Sequence, residues 1–593
     1  MNWTPMLAMA VGAGFFALRL SGAVEIRPGE YEIVAGMEES KAATELQAHL
    51  ELIGGERIPV VAKRTGGKKT FSFAPLPVAA NPEAAEWTVD KNGVVFRGHP
   101  YFAVVDFLEN GLGVRWPESD LASYVPTNPI PLRTTSGRWT AELSVRDIRT
   151  VGGEKRWTDP GNETFRDRMR MSRARRPDAP LYGHAFTQMW KRFGKTHPEY
   201  FAMREDGLRG PWRAKKDDLV ANVATVMAQS GQVAMCCTST GLVGQIVRDW
   251  MAAGAQRYIN LCENDVEGRF SCKCAACRAL DVVPENLNLR WQTHLADRYV
   301  YFANKVLEAA RKVRPDVNVC YYAYNATQDA PRRQRVDPAT VIGLVPTYFT
   351  KDYISDYIES WKAVGAVRFF YRPNRHHYYR CAFIPVGYEK HFFDLFQYIR
   401  AAGAFGFDYD ANAMEKCGYG WFERYVLYHA MQDPSKPFSH WENHYCEAFG
   451  AAAEDVKSYL RYWREAVWDA RIAPRQKQVV EQGRWFNFAN GLHKNVKEYY
   501  SLADYAAAER FLRSAESREL LPPHRALVRR IRDRHDHAVL YFKALTERSR
   551  ANSAALSAFR KAHGMNRNYW FERYYGDLVG MKEFFGLDGD TMD

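Results

Sequence analysis

The triplet Glu263-Asn264-Asp265 closes a short apolar run, "RYINLC", and three cysteines follow within a dozen residues as Cys272-x-Cys274-x-x-Cys277. Two carboxylates at one strand end have the makings of glycosidic bond cleavage. One carboxyl gives a proton to the leaving oxygen, and another stabilises positive charge at the anomeric carbon. Residues two apart on a strand face the same side. A strand continued through the triplet would therefore place Glu263 and Asp265 together, with Asn264 turned away. The plainer alternative is a polar strand end that bonds the loop after it. Three thiols in six residues have metal-ligand spacing. With a fourth ligand, such as Cys262 or a histidine, they would bind zinc. A disulfide-pinned loop and plain packing of reduced thiols are the alternatives. Three close thiolates make a closed structural site, so no catalytic metal or cofactor is expected.

These residues need a frame. From about residue 140, short apolar runs end in polar or aromatic residues and alternate with helical stretches. The runs are "SVRDIRTVG", "PLYGHAF", "QVAMCCTS", "RYINLCEND", "VNVCYYAYN", "VIGLVPTYF", "VRFFYRPN" and "GAFGFDYD". Eight such strands in about 290 residues have the count and length of an α/β fold of the (β/α)8 TIM-barrel type. An open doubly wound sheet is the alternative, but no GxGxxG loop follows the first strand. Barrels carry their chemistry at the C-terminal strand ends. That rule adds His184, Tyr322, Tyr324, Tyr348, Tyr371, Arg372, Asp408 and Asp410 as candidate sugar-binding residues beside Asn264. His376-His377 reads as part of a polar loop.

Around the barrel, at 593 residues, the chain is too long for a single core. Residues 24–139 alternate short strands with two helical stretches, which predicts a small α/β domain. Beyond Asp433-Pro434 strand-like runs vanish, and 433–593 reads as a helical C-terminal domain, leaving 140–432 for the barrel. Residues 1–23 contain an apolar run from Met6 to Leu18, too short for a comfortable membrane span. Small residues follow at Ser21-Gly22-Ala23, as before a signal-peptidase cut. This predicts a cleaved signal peptide, with a retained N-terminal anchor as the alternative, and a secreted or periplasmic protein with no membrane contact beyond that segment.

The net charge is +12. Its densest part is "FRDRMRMSRARRP", with Arg166, Arg168, Arg170, Arg173, Arg175 and Arg176. It reads as a solvated loop or helix face, or more sharply as a rim that attracts acidic sugars. No nucleic-acid-binding pattern accompanies it, so nucleic acid is not an expected partner. Aromatic residues make up 14% of the chain, which suits stacking on sugar faces as well as large cores.

The stretch "CENDVEGRFSCKCAACRAL" resembles the signature of domain of unknown function family 4838, also classified as glycoside hydrolase family 163. In that signature an Asn-Asp pair precedes a CxCxxC cluster. "YGHAFTQMW", "HPEYFAMREDGLRG", "FANKVLEAARKVRPDVNVCYYAYNATQDAP" and "GYGWFERYVLYHAMQDPSKPFSHWENHYCEAFG" resemble further parts of the family. "ESKAATELQAHLELIGG" and "FLENGLGVRW" resemble the small domain that precedes the barrel in α-glucuronidases and family 20 hexosaminidases. Characterised members of the family are endo-β-N-acetylglucosaminidases that cut the chitobiose core of N-glycans. The resemblance thus implies a glycan or glycoprotein substrate and a retaining mechanism in which the substrate's own acetamido oxygen is the nucleophile. Asp265 and Asn264 fall on the family's pair. Glu263 departs from it, since an amide or small residue is more usual there. Two other readings stay open: a uronic-acid or other glycosidase on the same scaffold, and a non-catalytic glycan-binding protein. The latter needs aromatic platforms but no proton donor about 5–9 Å from a second carboxylate.

Overall fold

The computed structural model describes residues 24–76, 81–151, 160–171, 179–220, 224–227, 230–266, 268–282, 294–374, 383–413, 418–483, 488–547 and 549–564. The predicted signal segment, His376-His377 and Arg173, Arg175 and Arg176 lie outside them. Among the described residues no helix is long and apolar enough to cross a membrane. The chain divides into two compact units. One holds the residues up to Val114 together with Tyr124–Thr140, and the other holds Arg115–Ser123 and everything from Ala141 on.

The first unit is a six-stranded mixed sheet in the order Val60–Val61, Tyr31–Val34, Lys69–Ala74, Gly93–Gly98, Ala85–Asp90, Ser136–Trp139. The helix Ser40–Gly54 buries Ala42, Ala43, Leu46, Leu50 and Ile53, the apolar stripe its spacing sets out. It stops at Gly55 in the left-handed conformation, φ 70°, where glycine pays no steric cost. The helix from Pro100 packs Phe107 edge-on against Trp87 and Phe96. The Trp87 indole N–H donates to Asp106 at 2.8 Å, so the one polar atom of that buried ring is satisfied.

The second unit is built on a curled parallel sheet of six strands, an open half-barrel. In chain order the strands are β1 (Val145–Val151), β2 (Tyr258–Asn260), β3 (Asn318–Ala323), β4 (Thr340–Leu344), β5 (Arg368–Tyr371) and β6 (Gly406–Ala413). They lie side by side as β2-β3-β4-β5-β6-β1, every pair parallel. Helices cross between successive strands: α1 (Thr240–Ala252) precedes β2, α2 (Ala296–Ala310) leads to β3, α3 (Lys351–Ala363) to β5 and α4 (Glu389–Ala401) to β6. This is the (β/α) barrel order with a gap between β1 and β2. The gap is where "PLYGHAF" and "QVAMCCTS" were expected to be the second and third strands, and neither forms one. Their polar groups are claimed elsewhere. Ala185 N–H donates to Cys262 O, Cys236 N–H to Tyr200 O, and Ala202 N–H to Ala234 O. One isolated bridge, Phe201 with Met235, and a single bond to the loop after β2 replace a ladder. Beyond the barrel, helices dominate, including Leu502–Glu516 and Pro522–Glu547. The buried Glu118 carboxylate accepts from Arg530 at 2.8 Å and forms an ion pair with Arg534 at 2.5 Å, tying the long helix to the 115–123 segment.

Two expectations about charge are corrected. Arg166 and Arg170 are buried and form no solvated face or rim. Arg166 pairs with the buried Asp147 of β1, and Arg170 donates to Gln432 Oε1. A buried carboxylate needs a partner of opposite charge, so these arginines are structural. Arg168 lies over the Trp116 ring, 5.6 Å from its centroid.

Inside the sheet Tyr258, Cys262, Cys320, Tyr322, Val341 and Phe370 form one apolar cluster. Gly343 sits in register between Tyr322 and Phe370. A Cβ there would lie 2.7 Å from one ring and 2.8 Å from the other. Glycine is needed so that two aromatic rings can close over the strand. Gly343→Ala should therefore destabilise the protein by about 1–3 kcal/mol, the usual cost of overpacking. Urea denaturation measures this, and an unchanged midpoint would mean that the rings do not meet over Gly343.

Candidate active site

Strand β2 ends at Asn260, so the alternation expected through Asp265 does not operate. The chain leaves the ladder and turns its side chains by individual bonds. Asn260 donates to Gly183 O at 2.7 Å. Glu263 carries its carboxyl inward. Oε1 accepts from the Asn264 N–H at 2.8 Å. Oε2 accepts from the Met235 N–H at 3.0 Å and from the Tyr299 hydroxyl at 2.8 Å. Asn264 is buried, and its amide donates to Val233 O at 2.8 Å. Asp265 is exposed, and its Oδ1 accepts from the Tyr324 hydroxyl at 3.4 Å.

Tyr324 is aimed by the turn after β3. Asn325 takes a left-handed conformation, φ 59°, and opens a single 3-10 turn, Asn325–Thr327. The Thr327 hydroxyl donates toward Tyr324 O at 2.7 Å and accepts from the Tyr324 N–H at 3.4 Å. Tyr299 comes from α2, whose first turn is fixed by the buried Asp297. That carboxylate accepts the N–H groups of Arg332, Arg333 and Gln334 at 2.6–2.9 Å.

Together these parts form one open cleft, bordered by Glu263, Asn264, Asp265, Tyr322 and Tyr324 and also by Leu295, Tyr299, Tyr321 and Thr327. His184 reaches it through the backbone, with Nδ1 donating to Glu263 O at 2.6 Å. A carbonyl only accepts, so the proton of a neutral His184 sits on Nδ1 and leaves Nε2 as an acceptor.

Other residues expected at the mouth lie elsewhere. Tyr348 donates to Glu481 of the helix Gln476–Gln482 at 3.2 Å and packs on Tyr353. Tyr371 packs on Phe407 and Tyr409, on the side where Phe407 meets Phe396 of α4, so its ring belongs to the layer between sheet and helices. Arg372 is buried over Tyr322, 5.1 Å from the ring centroid, and donates to Asn374 at 2.5 Å. Asp408 is fully buried on β6, in register with Asp147. The Asp410 side chain lies outside the described residues. Tyr299 was missed because a tyrosine inside an amphipathic helix looks like core.

The cysteines gather behind the cleft. Cys236, Cys272, Cys274 and Cys277 bring their sulfurs within 4.8 Å of one another. The fourth member is Cys236, from "QVAMCCTS", and not Cys262, whose thiol points to Cys320 O. All are free thiols, which leaves no disulfide within the cluster.

The model of the family described as "Domain of unknown function (DUF4838)" matches residues 116–461. The chain belongs to this family. No curated protein matches the chain. Among solved structures, the chain is similar to an N-acetyl-beta-hexosaminidase from Streptomyces plicatus, at 11% identity and a TM-score of 0.37, over 72% of this chain and 92% of that one. The GH20 beta-N-acetylhexosaminidase of Streptomyces coelicolor gives 11% and 0.39, over 73% and 93%. A chitobiase of Flavobacterium johnsoniae gives 8% and 0.36, over 91% and 94%. At this level none of them assigns an activity to this chain.

Burial raises the proton affinity of Glu263 above the ordinary carboxylate range, against the opposing pull of the Met235 and Asn264 N–H groups and the Tyr299 hydroxyl. A carboxyl whose folded pKa exceeds its unfolded one contributes stability that is present below the unfolded pKa and is lost as pH rises through the folded one. Glu263→Gln cannot titrate. Stability relative to wild type should therefore shift in favour of the variant as pH rises from about 4, the unfolded value, through the raised folded pKa of Glu263. Denaturation curves at a series of pH values check this, and a constant difference would show that Glu263 titrates normally.

Proposed function

We propose that the protein is a secreted or periplasmic glycoside hydrolase acting on glycans that contain β-linked N-acetylhexosamine, by a retaining, substrate-assisted mechanism. The observation that carries this reading is the pairing in one cleft of an exposed carboxylate, Asp265, with a half-buried, inward-turned carboxyl of raised proton affinity, Glu263. The chemistry needs both: a charge that faces the reacting sugar and an acid with a raised hold on its proton.

In this reading Asp265 accepts the acetamido N–H of the sugar in the cleft, while Tyr324 steadies the other side of the carboxylate. The acetamido oxygen attacks the anomeric carbon as the glycosidic C–O bond breaks. Glu263 gives its proton to the departing oxygen. Its Oε1 has a single donor among the described residues, Asn264 N–H, so a proton on Oε1 leaves all three existing bonds intact. Water then opens the oxazolinium ring and returns a proton to Glu263, giving a product of retained configuration. Cleavage within the chitobiose core of N-glycans is the specific activity we propose, on the resemblance of the sequence motifs. The uronic-acid alternative is weakened by the basic run, since Arg166 and Arg170 are buried and committed to other partners and the half-buried Arg168 lies over Trp116.

The test starts with wild-type protein, N-glycoproteins and aryl glycosides, read by mass spectrometry. Asp265→Asn should lower kcat at least about a hundredfold with little change in KM, because its charge matters most in the transition state. Glu263→Gln should be severe for natural glycans and mild for aryl glycosides with good leaving groups, which need little protonation. Near-normal turnover by Asp265→Asn on a confirmed substrate would refute the mechanism. Glycan binding without any cleavage would instead establish a binding protein.

A further inference from the structure

We infer that Cys236, Cys272, Cys274 and Cys277 are the four ligands of one structural zinc ion, and that this ion holds the backbone donor which positions Glu263. The inference does not depend on the glycosidase reading, because it rests on sulfur geometry and can be measured without a substrate.

The spacing of the sulfurs is the first support. Four sulfurs at the usual Zn–S distance of about 2.3 Å from a tetrahedral centre stand about 3.8 Å from one another. Cys236 Sγ lies 3.8 Å from both Cys274 Sγ and Cys277 Sγ, and all four sulfurs fall within 4.8 Å. A disulfide would need about 2 Å between sulfurs. Set around a common centre, four thiolates suit zinc and leave no open position for a substrate.

The surroundings supply what a thiolate site of net charge −2 requires. The Met203 N–H donates to Cys272 Sγ at 3.3 Å. The Thr238 hydroxyl lies 3.3 Å from Cys277 Sγ. The Arg209 guanidinium faces Cys236 electrostatically and is anchored on Phe201 O at 2.5 Å. Arg298 is buried, donates to Cys272 O at 2.8 Å and is itself held by Asp281 at 2.5 Å and 3.0 Å. Two cations and two hydrogen-bond donors around four sulfurs are the kind of outer shell that stabilises bound thiolates.

The position of the site gives it a consequence. Cys236 follows Met235, whose N–H donates to Glu263 Oε2. Lys273, between two other ligands, donates its N–H to Met203 O, and Phe201 bridges Met235. The ion would therefore clamp the 235–236 backbone to the 272–277 loop. That clamp replaces the ladder that the missing strand would have given this segment. Zinc is here a positioning group and touches no substrate.

The experiment uses the full chain purified in a reducing buffer without added metal. Elemental mass spectrometry should find one zinc per chain. Cys236→Ser should lose at least about nine-tenths of it, while Cys446→Ala, on a helix outside the cluster, should keep it. If Cys236→Ser does not fold, cobalt exchanged into the wild type should show the intense absorption of tetrahedral thiolate coordination. Hydrogen exchange on the wild type should show the Met235–Thr238 amides losing protection when zinc is stripped by a chelator, while β3 keeps its protection. Wild type with less than about a tenth of a zinc per chain, iron in place of zinc, disulfides among the four cysteines, or zinc retained in Cys236→Ser would each overturn the site. Unchanged protection at Met235 after zinc removal would overturn the positioning role.

Discussion

A carboxyl group taken out of water must be supplied with donors or keep its proton, and the arrangement around Glu263 turns on that constraint. Its three donors come from three parts of the chain: the backbone beside the cysteine cluster, the Glu263 loop itself and the first turns of α2. Each part is fixed in turn. Asp297 anchors the start of α2 by collecting three N–H groups, and Arg298, the next residue, reaches the Cys272 carbonyl. The buried thiol of Cys237, pushed up by burial, adds no charge of its own beside Glu263. Loss of the Asn264 N–H would leave Oε1 without a donor, at about 1–3 kcal/mol, and loss of either other donor would leave Oε2 with one.

The cleft is thus asymmetric in a way that chemistry can use. One carboxyl is held inside and gains proton affinity; the other stands in solvent beside a tyrosine hydroxyl. Two acids two residues apart acquire different characters because the strand has already ended. Had β2 run on through Asp265, both side chains would have shared one face and one environment, and nothing would have set their proton affinities apart.

Periodicity carried six of the eight expected strands; β3 and β4 in particular bury every residue and read as near-continuous apolar stretches. It failed at "PLYGHAF" and "QVAMCCTS", where apolar content was equally high but the backbone bonds went to loops. The triplet 263–265 was legible as a site because polar residues end an apolar run there. Tyr322 and Tyr324 were legible as residues at the end of a strand run. Cys236 was not, since it lies 36 residues before the CxCxxC spacing and only the tertiary fold brings it in. Tyr371, Arg372 and Asp408 obeyed the strand-end rule in sequence, yet burial consumes them in the sheet. The arginine run looked like surface because its buried partners, Asp147 and Gln432, come from distant stretches of sequence.

The stereochemistry of the first-formed product tests the central claim most directly. Proton NMR during cleavage of a β-linked N-acetylhexosaminide should show the β anomer first, with the α anomer growing in later by mutarotation, as attack by the substrate's own acetamido oxygen requires. The α anomer appearing first would mean direct displacement by water across the two carboxylates and would contradict the account.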